Sequence, residues 1–247
     1  MRLLGLDIET TGLDFRTAHA TEIAWIIKDV GDPKPLVAET FFIAPPEDFF
    51  EVPPDIEALT KITMKHLQLG RPLRFVLSLL KSRLDEFGVD AVVAHNGEGF
   101  DKPFLQTKVE AWPDDASIQD IFKCQWVDSS VDCIYPPGCR YSNLLYVAAY
   151  FGFVNPFPHS ALFDVATMLR VVDQFDFDQV LQRARTPWIF VQAEVAYDKK
   201  DLAKARRYVW EKFGDRVFPK TWVKRIKESE LEKERAEAGF PVLRCDV

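Results

Sequence analysis

The apolar run Leu3-Leu4-Gly5-Leu6 passes into an alternation, with Leu6 and Ile8 on one side and Asp7 and Glu9 on the other. Side chains alternate along a strand, so residues 3–9 are predicted to form one, with both carboxylates on a single face. Residues 22–28 and 38–43 predict two further strands, and the turn-forming Gly31-Asp32-Pro33 between them predicts a meander. Pro45-Pro46 and Pro53-Pro54 bracket an expected loop. Apolar residues at Phe75, Val76, Leu79, Leu80, Leu84 and Phe87 recur at helical spacing and predict a helix over 73–87. A short buried strand is expected at 91–94, then a helix from about 100 to 111. Further helices are expected at 141–151, with Leu144, Leu145, Val147, Ala148 and Phe151 on the inner face, and at 160–175. Strands in series, then alternating helices and strands, indicate an α/β domain with a mixed sheet flanked by helices, ending near Ala184.

Thr186-Pro187-Trp188 opens a second region. A strand at 188–195, a basic helix at 201–210, a strand at 222–226, a charged helix at 228–238 and a closing strand at 240–245 predict a small α+β domain. Its expected aromatic anchors are Trp188, Tyr197, Tyr208, Trp210 and Trp222. The expected domains are therefore residues 1–185 and 187–247. Charge changes sign near this division: residues 1–198 carry a net −12 and residues 199–247 a net +5. The total of −7 argues against broad, nonspecific coating of nucleic acid, but it leaves room for an enzyme that grips a strand end through metals.

The apolar fraction of 47% supports a sizeable core, and no stretch is long and apolar enough to predict a membrane span. A strand-like start bearing carboxylates is unlike a signal peptide, so the cytoplasm is the expected location. Cys124, Cys133, Cys139 and Cys245 form no C-x-x-C pair and have no nearby histidines to complete a zinc set. Free thiols in a reducing compartment are expected, and a disulfide between two of the first three is the alternative.

Two like charges on neighbouring same-face positions repel and raise each other's pKa. A divalent cation is the simplest way to keep both ionised, so Asp7 and Glu9 read as half of a metal site. Three other segments place acidic or imidazole groups beside Gly, Pro or Asn. In His95-Asn96-Gly97-Glu98-Gly99-Phe100-Asp101, Asp101 alone reads equally as a helix N-cap. In His159-Ser160-Ala161-Leu162-Phe163-Asp164, the spacing of five is poor for one helical face. His159 is expected in the Pro-bounded loop and Asp164 inside the helix, where the alternative is a position facing water. Asp128-Ser129-Ser130-Val131-Asp132 suits a cap or turn.

Taken in order, Asp-x-Glu at a strand end, Asn-x-x-x-Phe-Asp midway and His-x-x-x-x-Asp late resemble the DEDDh class of 3′–5′ exonucleases, over about residues 1–175. The resemblance implies a ribonuclease H-like fold. It puts metal ligands at Asp7, Glu9, Asp101 and Asp164, with Asp7 bridging, and a general base at His159. It implies two Mg²⁺ or Mn²⁺ ions about 4 Å apart and in-line attack of water on the last phosphodiester, releasing nucleoside 5′-monophosphates. The expected substrate is DNA with a free 3′ end, single-stranded DNA favoured, RNA being the variant, in DNA repair or proofreading. Thr10, Thr11 and Gly12 would approach the terminal nucleotide, Leu13 its base, and Asn96 and Phe100 the terminal or penultimate nucleotide. Core packing is the alternative for Leu13 and Phe100. His95 reads as a structural histidine, and His19 and His66 carry no motif. The rival class is a catalytically silent nucleic-acid- or polymerase-binding module.

Tyr197-Asp198-Lys199-Lys200-Asp201-Leu202-Ala203-Lys204-Ala205, followed by Trp210, Lys220 and Trp222, is similar to a small module found beside nucleic-acid-processing domains. Lys199, Lys200, Lys204, Arg206, Arg207 and Lys212 interleave with aromatics, a combination that suits single-strand binding. The competing reading makes the aromatics a small core and the lysines its solvated face. Residues 187–247 are also where a polymerase or another replication or repair protein would dock.

Overall fold

The computed structural model describes residues 1–49, 51–139, 141–211 and 220–245; Lys212 of the basic cluster lies outside them. The chain divides into two compact units, Met1–Leu181 and Gln182–Val247. The first holds strands β1 (Arg2–Thr10), β2 (Ala20–Asp29), β3 (Val37–Phe42), β4 (Ala91–Ala94) and β5 (Gln125–Asp128). Its helices are α1 (Pro54–Thr60), α2 (Met64–Gln68), α3 (Leu73–Phe87), α4 (Asp101–Val109), α5 (Ala116–Gln119), α6 (Ser129–Asp132), α7 (Leu144–Tyr150) and α8 (Ala161–Val172), and the division falls within α9 (Phe177–Arg185).

The five strands form one mixed sheet in the order β3-β2-β1-β4-β5. The meander β1-β2-β3 is antiparallel, and β1, β4 and β5 run parallel. One face carries Leu4, Leu6 and Ile8 of β1 beside Ile23, Trp25 and Ile27 of β2. These pack in one cluster with Val76, Leu77, Leu80 and Leu84 of α3 and Phe104 and Leu105 of α4. The amphipathic stripe read from residues 73–87 thus buries Val76, Leu80 and Leu84. α3 stops at Gly88, whose φ of 57° is a left-handed conformation that glycine adopts without steric cost.

The opposite face is set by Gly5. A Cβ there would lie 2.9 Å from Leu169 Cγ and 2.9 Å from Val165 Cγ1, so the bare backbone lets α8 close onto β1. Gly5, Asp7 and Glu9 share this face. No helix among the described residues is long and apolar enough to cross a membrane. All four cysteines are free thiols.

The second unit is a four-stranded antiparallel sheet in the order β7-β8-β6-β9, comprising β6 (Trp188–Ala193), β7 (Val209–Glu211), β8 (Thr221–Lys227) and β9 (Val242–Cys245). With α10 (Lys200–Ala205) and α11 (Leu231–Glu237) it encloses Ile189, Val191, Tyr208, Trp222, Ile226, Leu231 and Val242. Glu234 of α11 receives Arg206 Nε and Nη2, both at 2.9 Å, and Lys224 Nζ at 3.0 Å.

Several elements differ from the sequence expectation. The expected helix over 201–210 ends at Ala205, and Val209–Glu211 is a strand. Arg207 turns the chain with a φ of 63°, and Val209 and Trp210 favour the pleated surface of β8. The helix expected from 141 starts at Leu144, because the Asn143 side chain caps it by accepting from the Leu145 and Tyr146 amides. Its buried face is Val147 and Ala148, while Leu145 points outward. β5, α1, α2 and α9 have no counterpart among the expected elements, and the charged helix expected over 228–238 is a 3₁₀ turn followed by α11.

Candidate active site

Strand alternation brings Asp7 and Glu9 out of β1 on the α8 side. Beyond Glu9 the β1–β2 register slips: Glu9 faces Glu22, but Thr10 faces Ala20. The extra residue in β2 is a bulge that ends regular pairing beside the carboxylates. Thr11 then closes the following loop, donating from N to His19 O at 2.9 Å and accepting His19 N on Oγ1 at 2.9 Å. Thr10 Oγ1 donates to Gly12 O. Thr10, Thr11 and Gly12 hold the loop and do not line the cavity described below, whereas Leu13 does, 82% exposed at the tip. That exposure rules out core packing for Leu13.

Asp101 opens α4 after a tightly folded loop. Asn96 adopts a φ of 63°, and a Cβ on Gly97 would fall 2.4 Å from Ala94 Cβ, so only glycine lets the loop double back on β4. Asp128, at the end of β5, accepts from Asn96 N at 2.9 Å and Glu98 N at 3.1 Å while capping α6 through Ser130 N. The Asp101 side chain makes no cap bond; Phe100 takes the N-cap position. Asp101 is 3% exposed, and its Oδ1 is buried without a hydrogen-bond partner. Phe100 is half-buried, with its ring centroid 5.7 Å from those of Phe15 and Phe104, and also reaches the cavity. His95 contacts Ser129 Oγ through Nδ1 at 2.8 Å and Ser142 O through Nε2 at 2.6 Å. A carbonyl only accepts, so Nε2 carries the hydrogen. Burial lowers the His95 pKa against the Ser142 bond, so the neutral ring is a structural tie.

His159 lies in the Pro-bounded loop with a φ of 62°, and Asp164 lies in the first turn of α8. The His159 amide donates to Asp164 Oδ2 at 2.9 Å, and Asn155 Nδ2 donates to Oδ1 at 2.6 Å. These bonds make Asp164 a half-buried, oriented carboxylate rather than a water-facing one. The start of α8 is pinned from β2, where Glu22 accepts Ala161 N at 3.1 Å and the Thr40 hydroxyl at 2.8 Å. Glu9, His159 and Asp164 offer ligand atoms that lie within 4.8 Å of one another.

One cavity of about 630 Å³ brings together Asp7, Glu9, Asp101, His159 and Asp164 with Leu13, Asn96 and Phe100. No lysine or arginine is among its described lining residues. Burial, then Asp101, Glu9, Asp164 and Glu22, push the Asp7 carboxyl well above the ordinary range. Burial with Asp164, Glu22 and Asp101 raises Glu9 to about 8. Burial also raises Asp101, against backbone amide bonds, and Asp164, against the His159 amide. Such a cluster holds protons or a cation. The orphaned Asp101 Oδ1 and the all-oxygen carboxylate set fit a hard divalent ion.

Glu22 and Asn155 were missed as supports of the site, whereas Asp128 is the cap its sequence suggests and in addition holds the Asn96 and Glu98 amides. The only sequence signal for Glu22 was a lone carboxylate interrupting the apolar run of β2.

A family model described as exonuclease, RNase_T, matches residues 4–172. DNA polymerase III PolC-type of Mycoplasma pneumoniae is 30% identical over 174 residues, which are 68% of this chain but 11% of that protein. Its Mycoplasma genitalium counterpart is 33% identical over 106 residues, 43% of this chain and 7% of that protein. The chain thus matches about a tenth or less of either polymerase. E. coli exonuclease I in complex with a dA16 oligonucleotide has a similar structure, with a TM-score of 0.56 at 13% identity, covering 97% of this chain and 68% of that one. The nuclease domain of 3'hExo, a DEDDh family member bound to rAMP, gives 0.52 at 13% identity, covering 70% and 90%. These likenesses establish the ribonuclease H-like exonuclease fold. With the family model spanning most of the first unit, the chain belongs to the exonuclease family.

Proposed function

We propose that the protein is a divalent-cation-dependent 3′–5′ exonuclease that releases nucleoside 5′-monophosphates from a free 3′ end, with single-stranded DNA as the favoured substrate. The observation that carries this reading is the convergence of Asp7, Glu9, Asp101 and Asp164 on one cavity whose described lining holds no cationic side chain. These four carboxylates would hold two Mg²⁺ or Mn²⁺ ions, which suit hard oxygen donors. When bound, the ions would neutralise charge on the scissile phosphate and ease ionisation of the attacking water.

The chain's own groups do the rest. His159 shares a wall with Glu9 and Asp164, and its imidazole takes the proton of the attacking water. Asn155 and the His159 amide fix both Asp164 oxygens. As the water oxygen bonds to phosphorus, the bond to the neighbouring 3′ oxygen breaks, and that oxygen is protonated from solvent. Leu13, Asn96 and Phe100 border the space for the terminal base and sugar, with the Thr10–Gly12 backbone held beneath Leu13.

The two PolC-type relatives and the oligonucleotide-bound likeness support a DNA substrate in a replication or repair setting. The PolC-type relatives support a polymerase context; a polymerase or related protein docking on residues 187–247 is the partner we propose. Four free thiols suit the reducing cytoplasm.

The test is incubation of end-labelled single- and double-stranded DNA and RNA with Mg²⁺ or Mn²⁺, beside an Asp7→Ala control. Mononucleotide release from the 3′ end of single-stranded DNA, abolished by the substitution, is the expected result. Release from the 5′ end, or degradation that survives the substitution, would overturn the reading. Binding without degradation would identify the silent module.

A further inference from the structure

A second cavity, of about 580 Å³, lies in the first unit between β2, the loop that follows it, and α8. Ile26, Pro33, Pro35, Ala166 and Leu169 give it aliphatic walls, and Lys28, Arg170 and Asp173 give it charge. It shares no lining residue with the carboxylate cavity. Lys28 is 3% exposed, and its Nζ donates to both oxygens of Asp173, at 2.6 and 2.5 Å. An ammonium has three donors, so one N–H of this buried group is left without an acceptor among the described residues. The Arg170 guanidinium rests on the Phe153 ring, its carbon 4.8 Å from the centroid, a contact that holds it in place. Its N–H groups also lack an acceptor among the described residues. Aliphatic walls with a few unused donors are the makings of a small-molecule site, and the volume falls in the usual range of roughly 300–1,000 Å³.

We propose that this cavity binds a monocarboxylate with a branched aliphatic body, as a free acid or as the carboxyl end of a peptide. Lys28 and Asp173 cancel, so the charged groups of the lining sum to the single positive charge of Arg170. One negative charge completes them. A carboxylate matches the planar fork of Arg170 and takes parallel bonds from it, and the spare Lys28 N–H is a further donor. A phosphate monoester brings more than one charge at neutral pH, and the excess would meet the Asp173 carboxylate in the same lining. The walls decide the rest of the ligand. Ile26, Ala166, Leu169 and the two prolines carry no side-chain donor or acceptor, so they suit a hydrocarbon and leave the polar groups of a sugar or a base unsatisfied. The inference is independent of the exonuclease reading, since the two cavities have separate linings.

The isotope-labelled full chain, in EDTA, is titrated by amide NMR with isocaproate and with acetyl-alanyl-leucine bearing a free carboxyl end. The neutral amides of both compounds and inorganic phosphate serve as comparisons. Saturable shifts at residues 26–28 and 166–174 are expected with the acids, and the tighter of the two names the source of the carboxylate. The amides and phosphate should bind about tenfold more weakly, the worth of a charge-assisted hydrogen bond. Arg170→Ala should weaken the acids by about the same factor, and Arg170→Gln serves if circular dichroism melting shows that the alanine variant does not fold. No shift with either acid, equal binding of an amide, tighter binding of phosphate, or unchanged affinity in a folded Arg170 variant would overturn the site. The titration needs neither metal nor cleavage, so its failure leaves the exonuclease reading standing, and a chain inert towards nucleic acid leaves this site standing.

Discussion

Glu22 stands opposite Glu9 in the β1–β2 ladder, yet its carboxylate serves α8: Oε2 receives the Ala161 amide. A buried carboxylate thus joins the strand that carries Glu9 to the helix that carries Asp164. Replacing Glu22 by Ala strands that amide and the Thr40 hydroxyl. We expect a loss of about 2 kcal/mol in urea unfolding and a fall in kcat larger than that in substrate affinity. Unchanged kcat in a folded Glu22→Ala protein would show that α8 keeps its place without the tie.

The raised carboxylates make a prediction about pH in protein stripped of metal. Glu9 has a folded pKa of about 8, above the ordinary value for glutamate, so the folded state binds the extra proton. Its stability is therefore greatest below the unfolded pKa and is lost as pH rises through the folded one. Melting temperature in EDTA should fall between pH 5 and pH 8. Mn²⁺ should raise it more at pH 8 than at pH 5, because the cation replaces protons only where they would otherwise leave. A flat melting profile in EDTA would contradict this.

The second unit should respond in the opposite direction. Burial pushes the Glu234 carboxyl up, but hydrogen bonds from Arg206 and Lys224 outweigh it and hold the pKa at about 2. The side chain is 8% exposed. A depressed folded pKa stabilises above the unfolded value and is lost as pH falls towards 2. Glu234→Gln should cost about 2–3 kcal/mol at neutral pH and far less near pH 2. Equal destabilisation at both pH values, followed by tryptophan fluorescence, would mean that the lost contact is packing rather than charge.

These supports explain what could be read from the chain. The alternation at residues 3–9 puts Asp7 and Glu9 on one face because strand geometry acts over two residues. The stripe at 73–87 is legible because helical spacing acts over three and four residues, and 91–94 because it is an unbroken apolar run; both elements occur with those bounds. Glu22 escapes because its partner Ala161 is 139 residues away, and the hold of Asp128 on Asn96 because it spans 32 residues. β5 holds only Trp126 and Val127 between polar ends, so it shows neither an apolar run nor an alternation, and it takes its place from pairing with β4. The helix expected over 201–210 fails at Arg207, where the turn to Val209 answers to pairing with β8 rather than to local helix preference.

Gly5 bears on how such chains are read. It carries no chemistry and sits outside the acidic motif, yet the missing side chain sets the height at which Val165 and Leu169, and with them α8, ride over the sheet. Any Cβ there would act as a shim, lifting Asp164 away from Asp7 and Glu9 while leaving every acidic and imidazole residue unchanged in sequence. A homologue with all five positions intact but a bulky residue at position 5 would have the spelling of the site without its shape.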